Sequence, residues 1–340
     1  MQPAGVATTT ATGMGPLPEV LERMAGTQAV DRAFESVGLP LALMHNQQQR
    51  IPMAAMIGLF DAAEKQASDE VFGLRVGLEM RPGAYGLWTR YSGQGETARD
   101  ALRRLCQTIG VHQSGGAMHV ALRGRHIVWT YTNPTGFGCS QRAHAEHVAP
   151  VMIAFLRPFF GPTWLPDWIG LPFEDDGAGS RRSALLACPW RYADHGVSLS
   201  FPAEMLDQTR AVSSKDPMLT KVELYAERKL RDACRPETAL REIIALRLLD
   251  GKVDIDGAAH LSGQSLRTFQ RQLDQSGLTY SKLLARVRCE RATALLQETE
   301  VSITDIGLQV GFADPANFTR AFRSWTGKTP SQYRKDVRMP

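Results

Sequence analysis

Three side chains able to contact nucleic-acid bases lie close together near the C-terminus. Arg267, Gln270 and Arg271 occupy positions i, i+3 and i+4, which share one face of a helix. Leu266 and Phe269 are interleaved with them and would form the buried face. Arg and Gln side chains form paired hydrogen bonds with guanine and adenine edges in the major groove of DNA. The spacing therefore predicts a helix surface suited to base contacts.

The same pattern occurs a second time further along the chain. Each copy has a helix-capping residue, Ser265 or Asp314, with a phenylalanine four residues later and an arginine six residues later. These arginines are Arg271 and Arg320. On a single helix, an exposed Arg/Gln face is most often only a solvated surface. The same offset on two capped helices favours a shared binding role.

The residues around these positions predict two helix-turn-helix units joined by a long helix. The first unit covers about residues 255–273, the joining helix 280–297 and the second unit about 302–326. Ser302 and Asp305 have the spacing of a capping box at the start of the second unit. The joining helix would be about 27 Å long, comparable to the roughly 34 Å between successive major-groove segments on one side of DNA. One chain can therefore be expected to read two adjacent segments.

At these residues the chain resembles the AraC/XylS family of bacterial transcription regulators. The match covers residues 240–337 and includes Ile303-x2-Ile306-Gly307, Gly311-Phe312-x-Asp314-x3-Phe318-x-Arg320-x-Phe322 and Trp325-x-Gly327-x2-Pro330-x2-Tyr333-Arg334. The resemblance implies base-reading positions at Arg267, Gln270 and Arg271 in the first unit, and at Pro315, Ala316 and Arg320 in the second.

The two units are not expected to read DNA equally. Pro315 and Ala316 cannot hydrogen-bond a base through their side chains, so the second unit is expected to fix register mainly on phosphates. We predict that the DNA interface consists of Arg267, Thr268, Gln270, Arg271, Asn317, Thr319, Arg320 and Arg323. The expected partners are double-stranded promoter DNA and RNA polymerase.

Charge and composition agree with this division. From Thr238 to the end there are 15 Lys and Arg against 11 Asp and Glu, whereas the other 237 residues hold 24 of each. Only the C-terminal part therefore carries the positive excess that favours a polyanion. No apolar run has the 18 or more residues of a membrane span, and the five cysteines have no CxxC spacing. We expect a two-domain cytoplasmic protein, associated with the nucleoid when bound to DNA.

The rest of the chain predicts an α+β domain before the all-α DNA-binding domain. We predict a disordered tail over residues 1–18, this domain over 19–210, a linker containing a helix over 211–237, and the DNA-binding domain over 238–337. Alternating residues around Arg123-Gly124-Arg125 predict a β-hairpin. Glycines and β-forming residues over 73–91 predict short strands and turns.

The N-terminal part also resembles the arabinose-binding-type sensor domain found in one branch of these regulators. The matching stretches are Phe72-Gly73-Leu74-Arg75-Val76-Gly77, Gly83-x2-Gly86-Leu87 and Val197-Ser198-Leu199-Ser200-Phe201-x2-Glu204-Met205-Leu206. The resemblance implies binding of a small-molecule effector and a homodimer through this domain, but it names no ligand.

Aromatic residues are the candidates for an effector pocket, although core packing is the commoner role for each. Five of the six tryptophans lie in this domain: Trp88, Trp129, Trp164, Trp168 and Trp190. Arg75 or Arg90 could hold an effector carboxylate, and the spacing selects neither. His144 and His147 share a helix face near Glu146, but no third ligand of a zinc site is evident. We predict no metal and no cofactor.

An enzyme-like N-terminal domain fused to a DNA-binding unit is the alternative. Such a domain would need a nucleophile on a sharp turn after a strand. Cys106 and Cys289 lie instead within amphipathic helices, and Cys188 precedes Pro189. We therefore predict a regulator of transcription and not an enzyme.

Overall fold

The N-terminal domain combines helices with a β-sheet, as seen in a computed structural model that describes residues 6–81, 83–134, 138–211, 218–227 and 236–338. Its helices are α1 (Leu17–Ala25), α2 (Thr27–Val37), α3 (Met53–Ala67), α4 (Phe72–Leu78), α5 (Leu87–Gly93), α6 (Ala98–His112), α7 (Arg142–Phe160) and α8 (Gly179–Leu185). Together with the sheet described next, they confirm the predicted α+β class of this domain.

A mostly antiparallel sheet packs against α6 and α7. Its strands are β3 (Ala117–Arg123), β4 (His126–Thr132), β5 (Trp168–Gly170), β6 (Trp190–Arg191) and β7 (Val197–Pro202), in the order β3-β4-β7-β5-β6. Only β5 and β6 pair in parallel. The predicted hairpin is confirmed, because Arg123 of β3 pairs with His126 of β4 and Gly124 takes the left-handed conformation, with φ 62°, that a tight turn requires.

The prediction of short strands over residues 73–91 is wrong, because α4 and α5 occupy most of this segment. The predicted turns are confirmed only between these helices, over residues 83–86. Gly73 and Gly77 lie on the face of α4 that crosses α7. A Cβ atom at Gly73 would lie 1.9 Å from the Ala143 carbonyl oxygen, and one at Gly77 would lie 2.4 Å from the His147 carbonyl oxygen. The glycines therefore permit close helix packing, which is a tertiary requirement and not a turn signal.

The predicted disordered tail over residues 1–18 is also wrong for residues 6–18. Strand β1 (Thr8–Thr10) pairs with β2 (Arg50–Pro52), and α1 begins at Leu17. The buried Arg50 guanidinium donates hydrogen bonds to the Thr8 carbonyl at 3.1 Å and to Thr8 Oγ1 at 2.8 Å. These partners are distant in sequence, so composition alone gave no sign of them. Residues 1–5 lie outside the described residues.

The C-terminal domain is helical, as predicted. Its helices are α10 (Pro236–Leu248), α11 (Ile255–Leu261), α12 (Leu266–Gln275), α13 (Tyr280–Glu298), α14 (Ile303–Gln309), α15 (Pro315–Thr326) and α16 (Pro330–Arg338). Within the predicted linker, α9 (Lys221–Glu227) is helical. The linker residues 212–217 and 228–235 lie outside the described residues. None of the helices in the described ranges is long and apolar enough to cross a membrane.

The two helix-turn-helix units are supported by different cores. The buried side chains of α10, α11, α12 and the first half of α13 belong to the same cluster as those of α1, α2 and α3. The second unit has a separate cluster, formed by Ala292, Leu296, Ile306, Val310, Phe318 and Phe322. The first unit is therefore packed onto the N-terminal domain, and the second is packed mainly on α13.

The crossing of α4 and α7 leads to a first prediction. We expect Gly73→Ala to lower the free energy of unfolding by about 1–3 kcal/mol, because the added methyl group overlaps backbone atoms that cannot move independently. Urea denaturation of the full chain measures this change.

Gly93→Ala is the matched control, since a Cβ there would meet only a Phe155 ring carbon at 4.0 Å. It is expected to be neutral or slightly stabilising, because alanine is favoured over glycine in helices. Equal midpoints for the Gly73 variant and the wild type would contradict this account of the crossing.

Candidate DNA interface and effector pocket

The first helix-turn-helix is defined by two side-chain caps. The Asp254 carboxylate accepts a hydrogen bond from the Gly257 N–H at 2.6 Å where α11 begins, and Ser265 Oγ accepts one from the Thr268 N–H at 3.3 Å where α12 begins. Between the helices, Gly263 has φ 68°, a conformation that other residues rarely adopt. The local sequence therefore sets where α12 starts and how it leaves the turn.

On α12, three of the predicted contact residues are available to a partner. Arg267, Gln270 and Arg271 are exposed, and the described residues provide no ion-pair partner for either arginine. Thr268 differs from them, because its hydroxyl lies 3.0 Å from Ser265 Oγ and takes part in the cap. The exposed face thus consists of two guanidinium groups and one amide.

The second helix-turn-helix repeats this construction with its own caps. Ser302 Oγ accepts a hydrogen bond from the Asp305 N–H at 3.1 Å, and its hydroxyl donates to the Asp305 carboxylate at 2.6 Å. The Asp314 carboxylate caps α15. A Cβ at Gly307 would lie 3.2 Å from the Phe318 ring. Glycine in the middle of α14 therefore allows α15 to pack closely, which explains its tolerance in a helix.

The predicted contact residues of α15 are partly engaged by hydrogen bonds within the same helix. Asn317, Arg320 and Arg323 are exposed. Arg320 Nη2 donates a hydrogen bond to Asn317 Oδ1 at 2.5 Å, so these two side chains act as a pair. The Thr319 hydroxyl donates to the Pro315 carbonyl of its own helix at 3.0 Å. The Thr319 hydroxyl therefore already has a hydrogen-bond partner in the backbone of α15.

Two arginines hold the units in place, and sequence reasoning assigned neither of them this role. Arg288 of α13 donates hydrogen bonds to the Val310 carbonyl at 2.9 Å and to the Gly311 carbonyl at 2.8 Å, in the turn of the second unit. Arg247 of α10 pairs with the Asp254 carboxylate that caps the first unit. Such partners meet only in the folded chain, so helical periodicity gives no signal for them.

A narrow cavity, here called the inner slot, lies inside the N-terminal domain between α5, α6, α7, β3 and β4. Its volume is about 50 Å³, room for about three to five water molecules. Its walls are largely aromatic and aliphatic, and they consist of Thr9, Gly13, Met56, Tyr85, Trp88, Thr89, Leu105, His112, Gln113, Met118, Trp129, Tyr131, His144, His147, Val148, Val151, Met152 and Phe155.

Hydrogen bonds select the tautomers of two histidines of the inner slot that burial keeps neutral. His147 Nδ1 lies 3.2 Å from the His144 carbonyl, which can only accept, so Nδ1 carries the proton. The Tyr85 hydroxyl then donates to His147 Nε2 at 3.0 Å. The Asn133 side-chain N–H donates to His144 Nδ1 at 3.2 Å. Both rings are thus held in single tautomers.

Burial keeps these histidines uncharged at neutral pH. It lowers the pKa of His147 to about 4 and that of His112 to about 3, and Arg50 contributes to the shift of His112. Burial also holds the pKa of His144 well below its usual value, with His147 adding a smaller effect. The inner slot therefore presents hydrogen-bonding groups without net charge.

Two of the five N-terminal tryptophans line the inner slot. The indole N–H groups of Trp88 and Trp129 are buried and have no acceptor among the described residues, and the Trp88 ring stacks on His112 with centroids 5.0 Å apart. Trp164 packs instead on Phe160 and Phe201. Trp168 and Trp190 also lie outside the slot. Each of the two unpaired indole N–H groups can donate a hydrogen bond to an oxygen atom of a ligand.

A second cavity, here called the outer vestibule, adjoins the inner slot and has a volume of about 300 Å³. Three arginines line it, Arg81, Arg90 and Arg210. The sequence offered Arg75 and Arg90 equally as binding residues for an effector carboxylate, and the structure distinguishes between them. Arg75 donates to Asp69 at 2.6 Å and does not line either cavity, whereas Arg90 lines the outer vestibule.

The residues considered for a metal site have other partners. Arg182 Nε donates to Glu146 Oε1 at 2.7 Å, and both side chains are fully buried. His144 and His147 form the hydrogen bonds with Asn133 and Tyr85 that are described above. Within the described residues, no group of three or more His, Cys, Asp or Glu side chains is arranged to hold a metal ion.

Two capped helix-turn-helix units behind an α+β domain with an internal cavity define the class of DNA-binding regulators with a sensor domain. A family model described as the arabinose-binding domain of AraC transcription regulators matches residues 28–209. A helix-turn-helix domain model matches residues 258–336. The chain therefore belongs to the AraC family of transcription regulators.

Individual relatives are regulators as well. The ornithine utilization regulator of Pseudomonas aeruginosa is 36% identical over 153 residues, which are 43% of this chain and 42% of that protein. The transcriptional activator NphR of Rhodococcus sp is 28% identical over 142 residues, 42% and 40% of the two chains. The alignments thus span less than half of either regulator. The crystal structure of CdpR from P. aeruginosa covers 93% of this chain and 97% of its own, with 20% identity and a TM-score of 0.42. The two family models and the two sequence relatives all point to transcription regulation.

The neutral histidines lead to a prediction on stability and pH. Between about pH 6.5 and 4, His147 binds a proton in the unfolded chain but not in the folded one. Its contribution to the free energy of unfolding therefore falls as the pH drops through this range, by up to about 1.4 kcal/mol per pH unit. We expect His147→Gln to make the loss of stability on acidification shallower, as measured by urea denaturation at several pH values.

His119→Gln serves as the control, because His119 is exposed on β3. This variant is expected to follow the pH dependence of the wild type. If the His147 variant also lost stability on acidification as steeply as the wild type, the neutral, buried state assigned to His147 would be wrong.

Proposed function

We propose that this protein is a sequence-specific DNA-binding regulator of transcription that responds to a small-molecule effector. One observation carries the proposal: α12 and α15 each present arginines to solvent from a helix whose start is fixed by a side-chain cap. Arg267, Arg271 and Arg320 have no ion-pair partner among the described residues, so their guanidinium groups are available to bases and phosphates.

The two units would share DNA recognition unequally. In the first, Arg267, Gln270 and Arg271 form the base-reading face. In the second, Arg320, held by Asn317, is proposed to contact a base, and the unit otherwise fixes register on phosphates, with Arg323 as one of these contacts. Thr268 and Thr319 are proposed to contribute at the edge of the interface, since their hydroxyl groups already bond within the protein.

A route for the effector response runs through α3. Met56 lines the inner slot, and Ala54, two residues earlier, lies against the turn of the first unit. A Cβ at Gly263 would lie 2.5 Å from Ala54 Cβ, so this contact has no free space. Arg50 adds a second connection, because it contacts the His112 carbonyl at 3.3 Å and the Glu242 carboxylate at 3.9 Å. We propose that occupancy of the cavity shifts α3 and so alters the position of α12.

Double-stranded promoter DNA is the proposed macromolecular partner, and RNA polymerase is the second. Homodimerisation through the N-terminal domain stays a prediction. The name of one relative refers to ornithine, an amino acid with a side-chain ammonium group. No Asp or Glu lines either cavity, and we therefore do not extend ornithine to this chain.

We propose no catalytic role for the N-terminal domain. Burial raises the pKa of Cys106 and of Cys188 to about 11, so both thiols are protonated and unreactive at neutral pH. Cys188 also donates to the Pro166 carbonyl. These features argue against the alternative of an enzyme-like domain fused to a DNA-binding unit.

The test is selection of DNA by the full chain from a randomised duplex pool, followed by mobility-shift titration of the enriched sequence. We expect Arg271→Ala and Arg320→Ala each to weaken specific binding by about 1–3 kcal/mol, or roughly 5- to 150-fold. Each should also relax the preference at one base-pair position, because a guanidinium that pairs with a base edge is lost.

Arg286→Ala is the matched control, since Arg286 on α13 is held by Glu237 at 2.9 Å and Glu290 at 3.3 Å. It should bind the enriched duplex like the wild type. Failure to enrich any sequence would overturn the proposed function, and unchanged binding by both the Arg271 and Arg320 variants would refute the base-reading assignment.

A further inference from the structure

The inner slot and the outer vestibule share walls. Tyr85, Thr89, Val151 and Phe155 line both cavities. The space therefore has an enclosed aromatic part and an adjoining part with ionic side chains. A ligand that passes between these four shared side chains would occupy both parts.

The charges along this space are of one sign. The inner slot is lined by no charged side chain, and its three histidines are neutral for the reasons given above. The outer vestibule has Arg81, Arg90 and Arg210 in its walls and no Asp or Glu. Arg210 Nη1 donates to the Gly93 carbonyl at 2.8 Å, and none of the three arginines has an ion-pair partner among the described residues. An anionic group in the vestibule would thus be bound, and a cationic group would find no counter-charge.

The helix α7 gives the distance between the two parts. Its residues in the inner slot lie between His144 and Phe155, and those in the outer vestibule lie between Val151 and Phe159. The centres of these two sets are about six residues apart, or about 9 Å at the helical rise of 1.5 Å per residue. A ligand that fills both parts therefore has an apolar body of about that length.

We infer that the effector is an apolar monocarboxylate whose hydrocarbon end enters the inner slot and whose carboxylate is bound by Arg90 and Arg210 in the outer vestibule. Arginine suits this role because its planar donor pair matches the geometry of a carboxylate. The Trp88 and Trp129 indoles line the space for the hydrocarbon end. Their N–H groups can donate a hydrogen bond to an oxygen substituent on that end. This inference rests on the proposed effector response and specifies its chemistry.

Isothermal titration of the full chain with isosteric probes tests the inference. The probes are 3-phenylpropionate, 3-phenylpropanamide and 3-phenylpropylamine, which share one apolar body and differ in head-group charge. We expect the carboxylate to bind about tenfold or more tightly than the amide, because charge-assisted hydrogen bonds are about twice as strong as neutral ones, and we expect the amine to bind most weakly. Octanoate, tested beside 3-phenylpropionate, tells whether the slot prefers an aliphatic or an aromatic body.

Substitution of single arginines tests where the carboxylate of the ligand binds. Arg90→Gln is expected to lower the affinity for 3-phenylpropionate about tenfold and to leave that for the amide nearly unchanged. Arg90 is exposed, so the variant should fold normally. Arg75→Gln is the matched control, since it removes the same charge from a side chain that lines neither cavity. It should bind both probes like the wild type.

Three outcomes would overturn the inference: tighter binding of the amine than of the carboxylate, equal effects of the Arg75 and Arg90 substitutions, or no binding of either carboxylate at millimolar concentration. The enriched DNA duplex is titrated with the same protein preparation. Binding of the duplex without binding of carboxylates refutes only the ligand class. Binding of carboxylates without selection of DNA refutes the proposed function and leaves the ligand site supported.

Discussion

The close crossing of α4 and α7 is the contact on which the N-terminal domain depends. Because Gly73 and Gly77 have no side chains, the backbone of α4 lies directly against the first turns of α7. On α7, His147 stacks on Phe60 of α3, with ring centroids 4.5 Å apart, and lines the inner slot. One helix thus carries the wall of the cavity, the contact with α3 and the crossing with α4. A change in how α4 packs on α7 would therefore also alter the cavity wall and the contact with α3.

Those parts of the fold that depend on neighbours in sequence were predictable. The caps at Ser265, Ser302 and Asp314 and the glycine turns act over two to four residues, so the helices of both helix-turn-helix units could be predicted. The role of Gly73 could not, because it is set by Ala143 on another helix. In isolation a glycine in a β-rich composition indicates a turn, and only the tertiary partner shows that it allows packing.

The candidate sites follow the same rule. Exposure of Arg267 and Arg271 was predictable from helical spacing, since it requires only the direction of the buried face. The choice between Arg75 and Arg90 was not, because it depends on Asp69 as an ion-pair partner for one and on a cavity beside the other. His112 and His147 come from separate helices, and their shared cavity is visible only in the folded chain.

The shared core has a consequence for how such regulators can exchange parts. The first helix-turn-helix buries its apolar side chains in the cluster that includes those of α1, α2 and α3. Recombination between two regulators within the linker would therefore join halves of a core that were not adapted to each other. After α13 the situation differs, because the cluster around Phe318 and Phe322 is separate. A joint near Thr299 would transfer α15 with most of its own core. In this architecture, α15 can be exchanged without disturbing the core that the first unit shares with the N-terminal domain.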